Sequence, residues 1–137
     1  MADKIEFELV SPERLMIVGE FDMIVLPGED GDFGVLRSHA PLIWTLRPGT
    51  IVIFEDGQIT NRIFIASGFA EVTTERLTVM AEQALRIEEI VRADVQQEIS
   101  DLRDKIGRGS KESELTYTEA GLVIAEAKLL AIDQPAY

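Results

Sequence analysis

The sequence predicts a mainly β protein with an α appendage: an N-terminal β-sandwich of about ten short strands, then a C-terminal antiparallel two-helix hairpin. Three observations carry this. Through about residue 85, short apolar runs are punctuated by Gly, Pro and Asp-Gly, the pattern of a sandwich or barrel. From about residue 86, Gly and Pro become sparse and apolar residues recur at three- and four-residue steps. Two such helical stretches are separated by a polar, Gly-containing connector. The domain division expected is 1–86 and 87–137.

Taken in order, Ile5, Phe7 and Leu9 alternate with Glu6, Glu8 and Val10, and Ser11-Pro12-Glu13 turns the chain. Residues 15–18 form a run broken by Gly19, and 21–26 a run ended by Pro27-Gly28. Residues 42–46 make a strand stopped by Arg47-Pro48-Gly49. Residues 50–54 are rich in β-branched side chains and close on Asp56-Gly57, a strong hairpin signal, with the return strand over 59–66. After Ser67-Gly68, residues 69–72 and 77–81 complete the β region. Several strands, 51–54 among them, are apolar on both parities, so either both faces are covered or one meets a partner.

In the helical region, Ile87, Ile90 or Val91, Val95, Ile99, Leu102 and Ile106 mark one stripe. Asp94 with Gln97 reads as an N-terminal cap and Gly107-Arg108-Gly109-Ser110 as the stop. Residues 111–115 read as connector, and Thr116 with Glu119 as a capping box opening a second helix that runs to about Ile132, before Gln134-Pro135. Between Leu122 and Ile132 only Glu126 and Lys128 are charged, while Ala120, Gly121, Ala125, Ala127 and Ala131 permit close approach. Such a helix needs a packing partner.

Composition narrows the function. The 137 residues are 46% hydrophobic and 28% charged, which is globular. The net charge of -12, from 13 Lys and Arg against 25 Asp and Glu, argues against binding nucleic acid or an anionic membrane surface. With no cysteine there is no disulfide, thiolate metal site or Cys nucleophile. The start lacks a signal-peptide pattern and no apolar run approaches the ~20 residues of a membrane span, so a soluble or peripherally bound protein is expected.

The densest stretch is 27–42. It holds Pro27, Gly28, Gly31, Gly34 and Pro41, the acids Glu29, Asp30 and Asp32, and the only histidine, His39. It reads as a tightly turning loop that presents charge and an imidazole to a docking partner. Catalysis is poorly supported. His39 has no Ser-Asp setting, Asp30-Gly31-Asp32 lacks the rest of a calcium loop, and Gly28, Gly31 and Gly34 form no nucleotide fingerprint. A non-catalytic interaction module without cofactor or metal is the expectation.

The motifs Val10-Ser-Pro-Glu13, Pro27-Gly-x-x-Gly-Asp-Phe-Gly-Val-Leu36, His39-Ala-Pro-Leu42, Leu46-x-Pro-Gly49, Gly68-Phe-Ala-Glu-Val72 and Leu77-Thr-Val-Met-Ala-Glu82 resemble, in order, the bacterial epsilon-subunit family of the F-type ATP synthase. The resemblance spans the β region almost continuously and is weaker over the helices. It implies a non-catalytic central-stalk subunit that couples rotation of the c-subunit ring to ATP synthesis through gamma, and that is held peripherally at the cytoplasmic face of the inner membrane. It implies Asp32 at the c-ring interface, with Glu29 and Asp30 as its neighbours by sequence, and His39 with Pro41 and Leu42 at the gamma interface.

In some family members the helices rise along gamma, reach the beta subunits and inhibit ATP hydrolysis, and in some the folded hairpin binds ATP. Here the sequence departs. ATP-binding members carry Ile/Leu-Asp-x-x-Arg-Ala, and the aligned residues place Val91 at the aspartate and Asp94 at the arginine. No tight ATP binding is expected. The second helix offers only Lys128 as a base, while Arg103, Lys105, Arg108 and Lys111 cluster around the end of the first. With eleven acids and six bases from residue 87 on, a folded hairpin with weak or no inhibition is expected. The alternative is a ligand-sensing module whose hairpin switches conformation to inhibit hydrolysis. A stand-alone enzyme using His39 and an acid is a third, unsupported reading.

Overall fold

The computed structural model describes residues 4–109, 111–135 and 137, residue 113 by its backbone alone. The chain divides into two compact units that meet in sequence between Arg86 and Ile87.

The first unit is a ten-stranded sheet: β1 (Ile5–Val10), β2 (Leu15–Phe21), β3 (Met23–Gly28), β4 (Gly31–Val35), β5 (Leu42–Leu46), β6 (Gly49–Glu55), β7 (Gln58–Ile65), β8 (Gly68–Val72), β9 (Arg76–Ala81) and β10 (Ala84–Arg86). The strand order is β10-β7-β6-β3-β5-β8-β9-β1-β2, with β4 paired to β3. All pairs are antiparallel except β1 with β9. The sheet folds over on itself, and β3 joins β5 through one register pair, Gly28 with Leu46. Side chains from every strand fill one core, with Phe7, Leu9, Ile24, Leu26, Ile53, Ile65 and Leu77 wholly or almost wholly buried.

The local grammar explains the strands. On β1 the odd residues are buried, as its alternation requires. Asp56 and Gly57 both have positive φ, 52° and 76°, and link Glu55 to Gln58 as a two-residue hairpin of the mirror-image turn class. On β6, Ile51, Val52 and Ile53 are all fully buried, so both of its faces are covered there.

Three β expectations change. Gly19 does not break β2. It pairs with Phe7, and a Cβ there would come within 3.1 Å of the Phe21 ring, which packs edge-on to Phe7. The break falls at Asp22, whose carboxylate accepts the Asp56 amide at 2.6 Å. The strand does not stop before Pro27-Gly28 but takes both in as its last residues, and much of the supposed loop 27–42 is hairpin. β3 continues through both residues and pairs with β4 around the turn Glu29-Asp30. Pro27 is tolerated because β6 pairing stops at Val25, so its missing N–H leaves no gap in that ladder. Finally, β10 follows the last strand read from sequence and pairs with β7.

The second unit opens with one 3-10 turn, Ile87–Glu89, then α1 (Arg92–Gly107) and α2 (Glu112–Asp133). Both expected caps are wrong. Val91 is the N-cap of α1 and makes no side-chain cap, while Asp94 lies inside the first turn, where its charge suits the positive helix end. α2 starts four residues before Thr116. The hydroxyl of Thr116 instead donates backwards to the Glu112 carbonyl at 3.1 Å, and the predicted connector is helical from Glu112. The stop at Gly107 holds, with Gly109 at φ 73°; Ser110 lies outside the described residues.

Val95, Ile99 and Ala125 form the buried seam of the hairpin, flanked by Ile90, Leu102, Leu122, Leu129 and Ile132. The small side chain of Ala125 lets the helices approach. Ion pairs cross the seam in antiparallel order: Arg92 with Asp133, Glu98 with Lys128 at 3.9 Å, and Arg103 with Glu126 at 3.6 Å.

Gly68 opens β8 where its backbone lies against β9, and a Cβ there would sit 2.1 Å from the Met80 carbonyl oxygen. Gly68→Ala should destabilise the β unit by about 3 kcal/mol, the upper range for overpacking, read as a lowered urea midpoint at unchanged slope.

Candidate docking site

The residues singled out in 27–42 fall at two places. Glu29 and Asp30 form the exposed end of the β3–β4 hairpin, and Gly31 follows at φ 137°, open to a residue without Cβ. Gly28 on the other side has no space for a side chain: a Cβ would lie 2.6 Å from the Gly31 carbonyl oxygen and 2.9 Å from the Phe33 ring. Asp32 pairs with Pro27 across the hairpin. Its Oδ1 accepts Arg47 Nη2 at 2.5 Å, while Arg47 Nη1 donates to the Gly28 carbonyl at 2.6 Å. Three acids thus stand at one corner, and the backbone there is tied to β5 by the Glu29 amide on the Thr45 carbonyl at 3.0 Å.

His39 lies elsewhere, in the segment between β4 and β5. Ser38, at φ 71°, donates its amide to the Thr74 carbonyl at 2.6 Å, and Arg37 faces Glu75 at 3.7 Å. The His39 ring is half-buried, and its Nδ1 donates to the Ala40 carbonyl at 2.7 Å. This bond fixes the turn into Pro41, which is exposed, and Leu42, which packs against the core. The acids stand by the Leu46 end of β5 and His39 precedes its Leu42 end, so four residue steps, about 13 Å of strand, separate the two places. Among the described residues no three acidic or histidine side chains gather as a metal-ligand set. What the arrangement offers is two docking points of different chemistry on one sheet.

A third feature escaped the sequence reading. The registers align Leu15, Val10, Met80, Phe69 and Thr45 into one row across β2, β1, β9, β8 and β5. Leu15 is 53% exposed, and Phe69 and Met80 are each 44% exposed. Val10, Pro12, Leu46, Phe69, Met80 and Ala81 line an open groove of about 550 Å³ alongside. The next row, Val18, Glu8, Thr78, Glu71 and Ile43, is mixed, with Ile43 74% exposed. The apolar parity of single strands was visible in the sequence. That these residues line up depends on a parallel β1–β9 pairing between segments some seventy residues apart, which no local pattern encodes.

In the helical unit, Lys128 is buried and directed at Glu98, and Arg103 at Glu126. Lys105 and Arg108 border a cleft with Glu114, Tyr117 and Thr118. Val91 and Asp94, at the aligned positions of the nucleotide motif, stand at the N-cap and in the first turn of α1, so the arginine position carries an anion. No helix among the described residues is long and apolar enough to cross a membrane.

Comparison with known proteins agrees with this architecture. Residues 4–87 match the family described as ATP synthase, Delta/Epsilon chain, beta-sandwich domain. The ATP synthase epsilon chain of Rhodospirillum centenum is 48% identical over 134 residues, covering 94% of this chain and 92% of that one. The ATP synthase epsilon chain of Rhodospirillum rubrum is 43% identical, covering 96% and 98%. Among solved structures, a chain of the Euglena gracilis mitochondrial ATP synthase, OSCP/F1/c-ring in rotational state 1, superposes with TM-score 0.82 at 22% identity, over 96% of this chain and 83% of that one. A chain of the Tetrahymena thermophila mitochondrial ATP synthase central stalk and c-ring does so with TM-score 0.62 at 13% identity, over 96% and 98%. These structures share the fold. The match of the β unit to the family model, together with relatives above 40% identity along nearly their whole length, means that the chain belongs to the ATP synthase epsilon chain family.

Proposed function

We propose that this protein is a non-catalytic rotor subunit of the central stalk in a proton-transporting F-type ATP synthase, coupling c-ring rotation to ATP synthesis through gamma. The observation that carries the reading is the pairing of an acidic corner and an exposed apolar row on one continuous sheet. A joint that transmits torque must bind two partners without yielding between them, and a closed core supplies that stiffness better than separate flexible arms. Asp32, with Glu29 and Asp30 beside it, faces basic loops of the c-ring. His39, Pro41 and Leu42 face gamma, and so does the row that crosses β5 at Thr45, whose Met80 and Phe69 are of the types enriched at interface centres. The protein is then held indirectly at the cytoplasmic face of the bacterial inner membrane.

In this reading the helical unit stays a closed hairpin and neither binds ATP tightly nor inhibits. Arg103 and Lys128, two of the bases a beta subunit would need, face Glu126 and Glu98 across the seam. Releasing Lys128 would part a buried ammonium from the exposed carboxylate of Glu98 and open the apolar seam. The ligand-sensing alternative has no support at Val91 and Asp94.

Two measurements test these assignments. In the reassembled complex, Asp32→Asn or His39→Ala should weaken retention of the subunit and lower ATP-driven proton pumping while hydrolysis persists. Unchanged pumping and retention in both variants would remove the interface assignments. Deleting residues from 88 onward should barely change ATP hydrolysis by the complex, whereas strong activation would show that the tail inhibits.

A further inference from the structure

A two-residue hairpin end that projects acids into solvent should be loose, and a loose end makes a poor mechanical contact because its freedom is lost on docking. Here one side chain spans it. Arg47, the residue after β5, places its planar guanidinium against both flanks of the turn: Nη1 on the Gly28 carbonyl before it, at 2.6 Å, and Nη2 on the Asp32 carboxylate after it, at 2.5 Å. Its amide also donates to the Pro27 carbonyl at 2.9 Å. Two charge-assisted bonds from one rigid fork define position as well as energy. From sequence, Arg47 was only part of the signal that stops a strand.

The charge of Arg47 makes the arrangement informative. A cation beside three acids weakens their pull on a basic surface, so attraction alone would favour any neutral residue there. What the fork supplies is a fixed direction for the Asp32 carboxylate. We propose that Arg47 is a positioning residue: it pre-sets the acidic turn so that docking on cationic loops costs little further ordering. This rests on the reading that the turn docks on the c-ring. Its kinetic signature is a split. Without Arg47 the corner is more acidic, so association does not slow, but the contact is looser and dissociation quickens.

The test uses the full chain and the ATP synthase complex depleted of this subunit, with association and dissociation rates measured at low and moderate salt. Arg47→Met should leave the association rate equal or higher and raise the dissociation rate roughly fivefold, about the net worth of one ordinary hydrogen bond. Arg47→Lys, which keeps the charge but not the fork, should fall between. Since Arg47 acts through Asp32, the double variant with Asp32→Asn should dissociate less quickly than the product of the two single effects. In the isolated chain, Arg47→Met should speed hydrogen exchange at the Glu29 amide while the melting of the β unit stays cooperative. Unchanged exchange at Glu29 would overturn the positioning role. Fully multiplicative effects would overturn it too, because Arg47 would then be a contact in its own right. If Asp32→Asn, Arg47→Met and the double variant all bind like the parent, the c-ring reading of the turn fails, and the exchange measurement alone decides whether Arg47 orders it.

Discussion

The β unit depends on one constraint, the close backbone approach at Gly28. Having left β6 after Val25, β3 keeps β4 as far as Gly28 and there meets β5 through a single register pair with Leu46. The chain can turn so closely because Gly28 has no Cβ; any side chain would collide with the Gly31 carbonyl and Phe33. Gly28 therefore joins the two halves of the sheet and also marks the base of the acidic turn. The acids stand at this same corner, so a force applied at Glu29, Asp30 or Asp32 would be delivered into strands rather than into a loop. Arg47 reinforces the same point from just beyond β5.

Much of this was legible from residues, and the misses have physical causes. Alternation in β1, the Asp56-Gly57 hairpin and the change of period near residue 86 are local signals, and all of them hold. Gly19 and Pro27 looked like breaks because each is unfavourable inside an average strand. Gly19 fits because the Phe21 ring of the same strand, packed on Phe7, lies over it, and Pro27 because it falls beyond the β6 ladder. The caps at Asp94 and Thr116 failed for a related reason: a favourable side chain does not fix where a helix starts when the preceding turn is itself helical and acid-rich. The acids and His39 were found as one cluster in sequence, and β5 separates them in space. The apolar row could not be read at all, since it exists only through cross-strand register.

The helical unit shows how composition and packing combine. Its net charge was counted from sequence, but the placing of charges across the seam was not. Lys128 is buried but Glu98, 3.9 Å away, is exposed, so the pair is weak evidence for stability: desolvation of the ammonium offsets much of the attraction. What holds the hairpin together is chiefly its apolar seam of Val95, Ile99 and Ala125.

The central claim is that the acidic corner and the apolar row meet different partners at the same time. Because the sequence contains no cysteine, single-cysteine variants report contacts without background from this chain. The most direct measurement is disulfide cross-linking in the assembled, membrane-bound complex, with Asp30→Cys at the turn and Thr45→Cys in the apolar row, against cysteines introduced in the polar loops of c and in the foot of gamma. The account predicts that Asp30→Cys joins c and Thr45→Cys joins gamma. Both joining the same partner, or Asp30→Cys joining neither, would contradict it.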